Sequence, residues 1–194
     1  VREICQAAGT NLAAISYHFG DKESLYVAAV QHAASCCMDR VPLPELSPET
    51  PAHERLHGFV LTMLKRVVVD HEPAWHTQLV MREMVFPTRA CAEFVKQFVR
   101  PMHSMLLSIV TELMPRATSQ QRWLSAASIV GQCLHHRFGR AVMTELSGGA
   151  SGMKFSVESL ARHITAFSLA AIENRPAKGT ATKRTASAKK GRKS

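Results

Sequence analysis

Strand signals are almost missing from this chain of 194 residues. Its one β-branched run, VLTMLKRVVV at 60–69, falls inside a helical pattern, which argues against a sheet-based core. No apolar stretch approaches the roughly 20 residues that a bilayer span needs. Nor does a basic segment followed by a signal-type apolar core open the chain, so a cytoplasmic protein without membrane contact is expected. The five cysteines, Cys5, Cys36, Cys37, Cys91 and Cys133, show neither paired metal spacing nor an even-numbered disulfide framework. They read as reduced thiols that pack as small apolar residues. A Ser-His-Asp arrangement and a glycine-rich phosphate loop are absent as well, so no catalytic residue and no cofactor is assigned.

Acidic residues are missing from the last segment. Lysines and arginines between Lys178 and Lys193 supply most of the net charge of +9, which leaves the body nearly neutral. That tail, 176–194, otherwise holds Ala, Thr, Ser, Gly and one Pro, and a composition with nothing to bury is expected to be disordered. A cationic arm of this kind is drawn to polyanions without reading sequence.

What is present is helical. Residues 1–8 read as a helix stopped by Gly9. Asn11 caps a second helix ending near Phe19 and Gly20, and Asp21 caps a third that keeps Leu25, Ala28, Ala29 and His32 on one side. The proline-rich VPLPELSPETP at 41–51 marks a boundary. Beyond it, Leu56, Phe59, Val60, Met63, Leu64, Val67 and Val68 recur at the spacing of one helix face. Pro73 and Pro87 delimit a shorter helix. A longer one follows over 88–114 with Pro101 as a kink, and Thr118-x-x-Gln121 is a capping box opening a helix to about Leu146. After SGGASG, Ser156 caps a last helix whose small and apolar face runs through Val157, Leu160, Ala161, Ile164, Phe167, Ser168 and Ala171. The expected fold is all-α, with a unit over 1–40, a larger helical body over 50–175 and the tail.

Two helices joined by GTN have the connection length of a helix-turn-helix. Ile15 and Phe19 of the second can pack inward against Ile4 and Ala8 of the first. Leu12, Ala13 and Ser16 then point elsewhere and are slim enough to enter a groove. Tyr17 and His18 end that helix and Lys22 begins the next. Hydroxyl, imidazole, ammonium and a helix N-terminus are donors that bind phosphate oxygens and fix register on a duplex.

VREICQAAGTNLAAISYHFGDKESLY resembles the DNA-binding signature of TetR/AcrR-type transcriptional regulators, most specifically in Tyr-His-Phe-x-x-Lys at 17–22. MREMVFPTRACAEFVKQFVRPMHSML and SIVGQCLHHRFGRAV are similar to the CecR-type C-terminal domain of one branch of that family. The resemblance implies that Arg2, Leu12, Ala13 and Ser16 face the major groove of operator DNA, with Tyr17, His18 and Lys22 on phosphates. Since Leu12, Ala13 and Ser16 offer one hydroxyl and otherwise apolar contact, Arg2 is expected to carry much of the direct readout. The family carries a further helix before the first one seen here. The expectation is therefore an N-terminally truncated chain that leaves Ile4, Ile15 and Phe19 partly uncovered and binds operator poorly.

The resemblance also implies a homodimer through the helices at 119–145 and 157–173, with Trp123, Ala127, Val130 and Leu134 as the stripe on the first. It further implies a cavity for a small-molecule effector of drug-like or aromatic type, lined by Trp75, Met81, Met84, Phe98, Met102, Gln132 and His136. The same residues would also suit a methionine-rich core. Arg82, Glu83 and Gln132 could equally be buried polar partners that fix the fold. HERLH at 53–57 matches the zinc-protease spacing H-E-x-x-H. With no third ligand at a family-type spacing, it reads instead as the first turn of an ordinary helix, and no metal is assigned. The expected function is a dimeric, ligand-responsive transcriptional repressor. The alternatives are a helical dimerisation or binding module that does not read DNA and, last, a zinc hydrolase at His53, Glu54 and His57.

Overall fold

The computed structural model describes residues 1–44, 47, 49–71, 73–149 and 153–174, and the basic tail at 176–194 lies outside them. Every regular element among the described residues is helical. The α-helices are α1 (Arg2–Ala7), α2 (Leu12–Phe19), α3 (Lys22–Arg40), α4 (Ala52–Val67), α5 (Trp75–Val85), α6 (Arg89–Phe94), α7 (Arg100–Leu113), α8 (Ser119–Phe138), α9 (Arg140–Leu146) and α10 (Val157–Glu173), with one π-helical turn between α6 and α7. None of these helices is long and apolar enough to cross a membrane.

The helix starts follow local chemistry. Asn11 accepts from the Ala14 amide, Asp21 from Ser24 and Ser156 from Ser159, each satisfying an amide that the first turn leaves without a partner. Thr118 and Gln121 exchange side-chain and backbone bonds as a complete capping box. The α4 stripe is buried from Leu56 to Val67 and meets Leu106, Ile109 and Val110 of α7, Ala126, Ile129 and Cys133 of α8, and Leu160, Ala161 and Ile164 of α10. Val68, at its end, is only half-buried.

Two expectations need correction, and a third is extended. The buried side of α3 is Val30, Ala33 and Ala34, while Leu25, Ala28 and Ala29 are half-buried and His32 is exposed. The cause is tertiary: α5 and α6 bring Val80, Ala90 and Phe94 against that side. The helix over 88–114 is not a simple kinked rod. Its middle turn, Val95–Val99, is π-helical and leads into α7. Pro101 offers no amide and its ring crowds the carbonyl four residues back, so one wider turn ahead of it absorbs the conflict. Finally, α8 stops at Phe138 rather than running to Leu146. A Cβ at Gly139 would come within 2.8 Å of the His135 carbonyl oxygen, so only glycine fits that bend. Asp70 spans the break, accepting from Arg137 at 2.8 Å and Arg140 at 2.6 Å.

A buried carboxylate ties α3 to the body. Glu83 on α5 is fully buried, and its Oε1 accepts from the Tyr26 hydroxyl of α3 at 2.6 Å. Its Oε2 accepts from the Thr88 amide at 3.0 Å and from the Thr88 hydroxyl at 2.9 Å. Glu83 is thus the buried polar partner that the sequence allowed, whereas Arg82 is exposed. Burial, then the hydrogen bond to Glu83 and its charge, push the Tyr26 phenol up to about 12 from 10.0. A group whose folded pKa is raised stabilises the fold while it stays protonated. This contribution is expected to be whole below pH 10 and to vanish on the way to pH 12. Phenolate absorbance followed in a Tyr17→Phe chain, where Tyr26 is the remaining tyrosine, should show the late titration coinciding with unfolding.

Candidate functional site

The turn between α1 and α2 needs a left-handed residue, and Gly9 supplies it at φ 62°. Gly20 does the same at φ 82° where α2 gives way to α3. Between these bends, α2 presents its groove-facing candidates outward. Arg2, Leu12, Ala13, Ser16, Tyr17, His18 and Lys22 are all exposed, Tyr17 to 85%. The Tyr17 and His18 rings meet edge to face with centroids 5.0 Å apart. Lys22, the first residue of α3, follows directly after Asp21. Phenol, imidazole and ammonium are therefore gathered where one helix ends and the next begins.

Of the three side chains expected to be partly uncovered, two are and one is not. Ile15 of α2 and Cys5 of α1 are buried, whereas Ile4 and Phe19 are 53% and 40% exposed and Ala8 is exposed. Each of these two short helices buries a single residue. No described element covers the flank carrying Ile4 and Phe19.

The body contains a cavity of about 520 Å³ between α3, α4, α5, α7 and α8 and the π-turn. Met81, Met84, Phe98 and Met102 line it as the sequence suggested, joined by Phe59, Met63, Trp123, Val130 and Leu134. Its volume lies within the range of small-molecule sites. Trp75 is elsewhere, stacked near His32 with centroids 6.5 Å apart, because it opens α5 on the side that meets α3. Gln132 and His136 also miss the cavity. They lie in a groove between α8 and α10 with His163 and Ile164. A residue two positions along a helix is turned by about 200°, so positions 132 and 136 leave α8 opposite Val130 and Leu134. The same geometry moves the stripe of Trp123, Ala127, Val130 and Leu134 from the expected dimer surface to the cavity wall. The outer face of α8 and α10 instead shows Leu124, Ser128, Gln132, Phe167 and Ala171.

Arg66 escaped the sequence reading because it follows Lys65 and looks like part of a solvated face. It is only 7% exposed and stands in the cavity wall. Its Nε donates to the Val41 carbonyl at 2.7 Å and its Nη1 approaches Met102 Sδ at 2.9 Å. Burial lowers its pKa, opposed by the nearby Cys37. No carboxylate among the described residues pairs with it. In HERLH, His53 and Glu54 are exposed and 3.8 Å apart, while His57 Nδ1 lies 3.4 Å from the Thr165 hydroxyl of α10. His135 and His136 have ring centroids 5.9 Å apart, as divergent neighbours on a helix should.

Comparison with known proteins bears on the helical body. The family described as "HTH-type transcriptional dual regulator CecR, C-terminal domain" matches residues 52–172, which run from the start of α4 to near the end of α10. The chain is also similar to the HTH-type transcriptional dual regulator CecR of Shigella flexneri. Identity is 27% over 158 residues, spanning 76% of this chain and 70% of that protein.

Proposed function

We propose, because this chain belongs to the CecR C-terminal-domain family of helix-turn-helix transcriptional regulators, that it is a dimeric repressor released from operator DNA by an apolar effector. Membership makes it a DNA-binding transcription regulator rather than an enzyme. One observation carries the finer reading. Helix α3 begins at Lys22, beside Tyr17 and His18, and near its other end Cys37 and Met38 enter the cavity wall. Whatever fills the cavity therefore touches the helix that positions the DNA grip.

In this reading Tyr17, His18 and Lys22 hold phosphate oxygens while Arg2, Leu12, Ala13 and Ser16 face base edges. Two copies joined through the outer face of α8 and α10 would set two grips at the spacing of operator half-sites. Leu124 and Phe167 on that face are exposed and apolar, as a self-complementary contact requires. The cavity is apolar but for the buried Arg66, the exposed Arg100, His103 and a few neutral polar groups, so the favoured effector is an apolar body carrying one anionic or strongly accepting group. An effector that prefers the conformation with badly spaced grips weakens operator binding by its differential affinity for the two states.

Selection of bound duplexes from a random pool tests the proposal. Enrichment of a two-fold symmetric site is expected. Lys22→Ala should weaken binding across sequences and lower the salt slope by about 1. A pool that shows no enrichment at low or moderate salt would overturn it.

A further inference from the structure

His32 and Cys36 lie four residues apart on α3 and so leave the same side of the helix. His32 Nε2 and Cys36 Sγ are 3.7 Å apart. His76, on the first turn of α5, brings a ring nitrogen to the same place, and the three donor atoms all lie within 4.8 Å of one another. Donors around a tetrahedral zinc ion, with bonds of about 2.0–2.3 Å, are separated by roughly 3.3–3.8 Å. The His32–Cys36 pair already has that spacing, and His76 needs only a small side-chain adjustment.

A thiol–imidazole contact accounts for two of these residues but not the third. His76 is 7% exposed, and its Nδ1 is buried with no hydrogen-bond partner among the described residues. A buried imidazole nitrogen left unpaired is uncommon and calls for a ligand. Trp75 walls the cluster, with its ring centroid 4.1 Å from that of His76 and 6.5 Å from that of His32. The His32 side is open, which leaves a coordination position for water or a solute.

We propose that His32, Cys36 and His76 form a binding site for a divalent transition metal, with zinc the best match. Two imidazoles and one thiolate suit zinc or cobalt and exclude calcium and magnesium, which take oxygen donors. On loading, the sulfur–metal bond replaces the sulfur–hydrogen bond of Cys36 and the proton passes to solvent. The site lies outside the cavity and the DNA grip, and it ties α3 to α5, so metal would brace the helix that bears the grip.

The test uses the full chain, reduced and metal-free, titrated with cobalt(II) and then with zinc(II). One equivalent of cobalt should bind with a thiolate-to-cobalt charge-transfer band, and zinc should bleach it. Cys36→Ser should abolish the band. His32→Ala, at an exposed position, should weaken cobalt binding by more than the roughly 10–100-fold typical of lost supporting contacts. Cys91→Ser should leave the titration unchanged, and circular dichroism should report the same helicity in all variants. Absence of the band in the folded wild type, its survival in Cys36→Ser, or its equal loss in Cys91→Ser would overturn the site. Cobalt spectra do not depend on DNA, so the outcome is independent of operator binding.

Discussion

Glu83→Ala is expected to lower the unfolding free energy by about 3–5 kcal/mol, a large share of the roughly 5–15 kcal/mol that a domain has. The carboxylate receives the Tyr26 hydroxyl of α3 and both donors of Thr88. Its removal leaves the hydroxyl of the half-buried Tyr26 without its acceptor, at about 1–3 kcal/mol for an unsatisfied buried group. It also removes hydrogen bonds to a charge, worth about 1.5–3 kcal/mol each where water cannot replace them. Thr88 is exposed and can recover part of its bonding from solvent, which keeps the total from reaching the full sum. Urea unfolding measures the loss.

Tyr26→Phe should cost much less, because it removes one donor and leaves the carboxylate two others. Burial raises the Glu83 pKa, but the hydrogen bonds from Tyr26 and Thr88 outweigh it and hold the group below the ordinary carboxylate range. A depressed folded pKa stabilises above the unfolded value, about 4.3, and that contribution disappears as pH falls through the folded one. The gap between wild type and Glu83→Gln should accordingly narrow in acid. A constant gap from neutral pH down to acid unfolding would mean that the charge on Glu83 contributes nothing.

The second large effect separates binding from stability. Arg66→Met is expected to leave the protein as stable as before or to stabilise it, while cutting affinity for apolar anions by a factor of about 10–100. A buried guanidinium without a carboxylate is costly to desolvate, and a methionine would join the Met63, Met81 and Met102 that already line the wall. The counter-effect is the Val41 carbonyl, which loses its donor. Trp123 in the cavity wall supplies a fluorescence readout. Decanoate and decanol make the comparison: wild type should favour decanoate, and Arg66→Met should bind both equally. Equal affinity of wild type for the acid and the alcohol would remove Arg66 from effector recognition.

Local chemistry was legible in the chain and relative placement was not. Asn11, Asp21, Thr118 and Ser156 could be assigned as caps because a cap and the amide it satisfies lie within three residues. The α4 stripe was equally clear, since a long amphipathic pattern has one apolar side. On α8 both sides carry apolar residues, so periodicity could not tell the wall containing Trp123 and Leu134 from the outer face with Leu124. Of the effector candidates, Met81, Met84, Phe98 and Met102 fall in the cavity, whereas Trp75, Gln132 and His136 needed the packing of α3 on α5 and the rotation of α8 to be placed. His32 and Cys36 are four residues apart on one helix, but the cysteines were read only against one another and the pair passed unnoticed. The third member of the cluster lies on another element and could not be found from spacing alone.

Helix α3 has neither glycine nor proline between Lys22 and Arg40, and its 19 residues extend about 28 Å. A rod of that length does not absorb a disturbance at one end. It converts a small angle into distance, so a swing of about 5° at the cavity would carry Lys22 about 2 Å sideways. A phosphate contact survives only a few tenths of an ångström beyond its ideal length. Modest crowding around Cys37 and Met38 would therefore be enough to pull the far end out of register with the duplex.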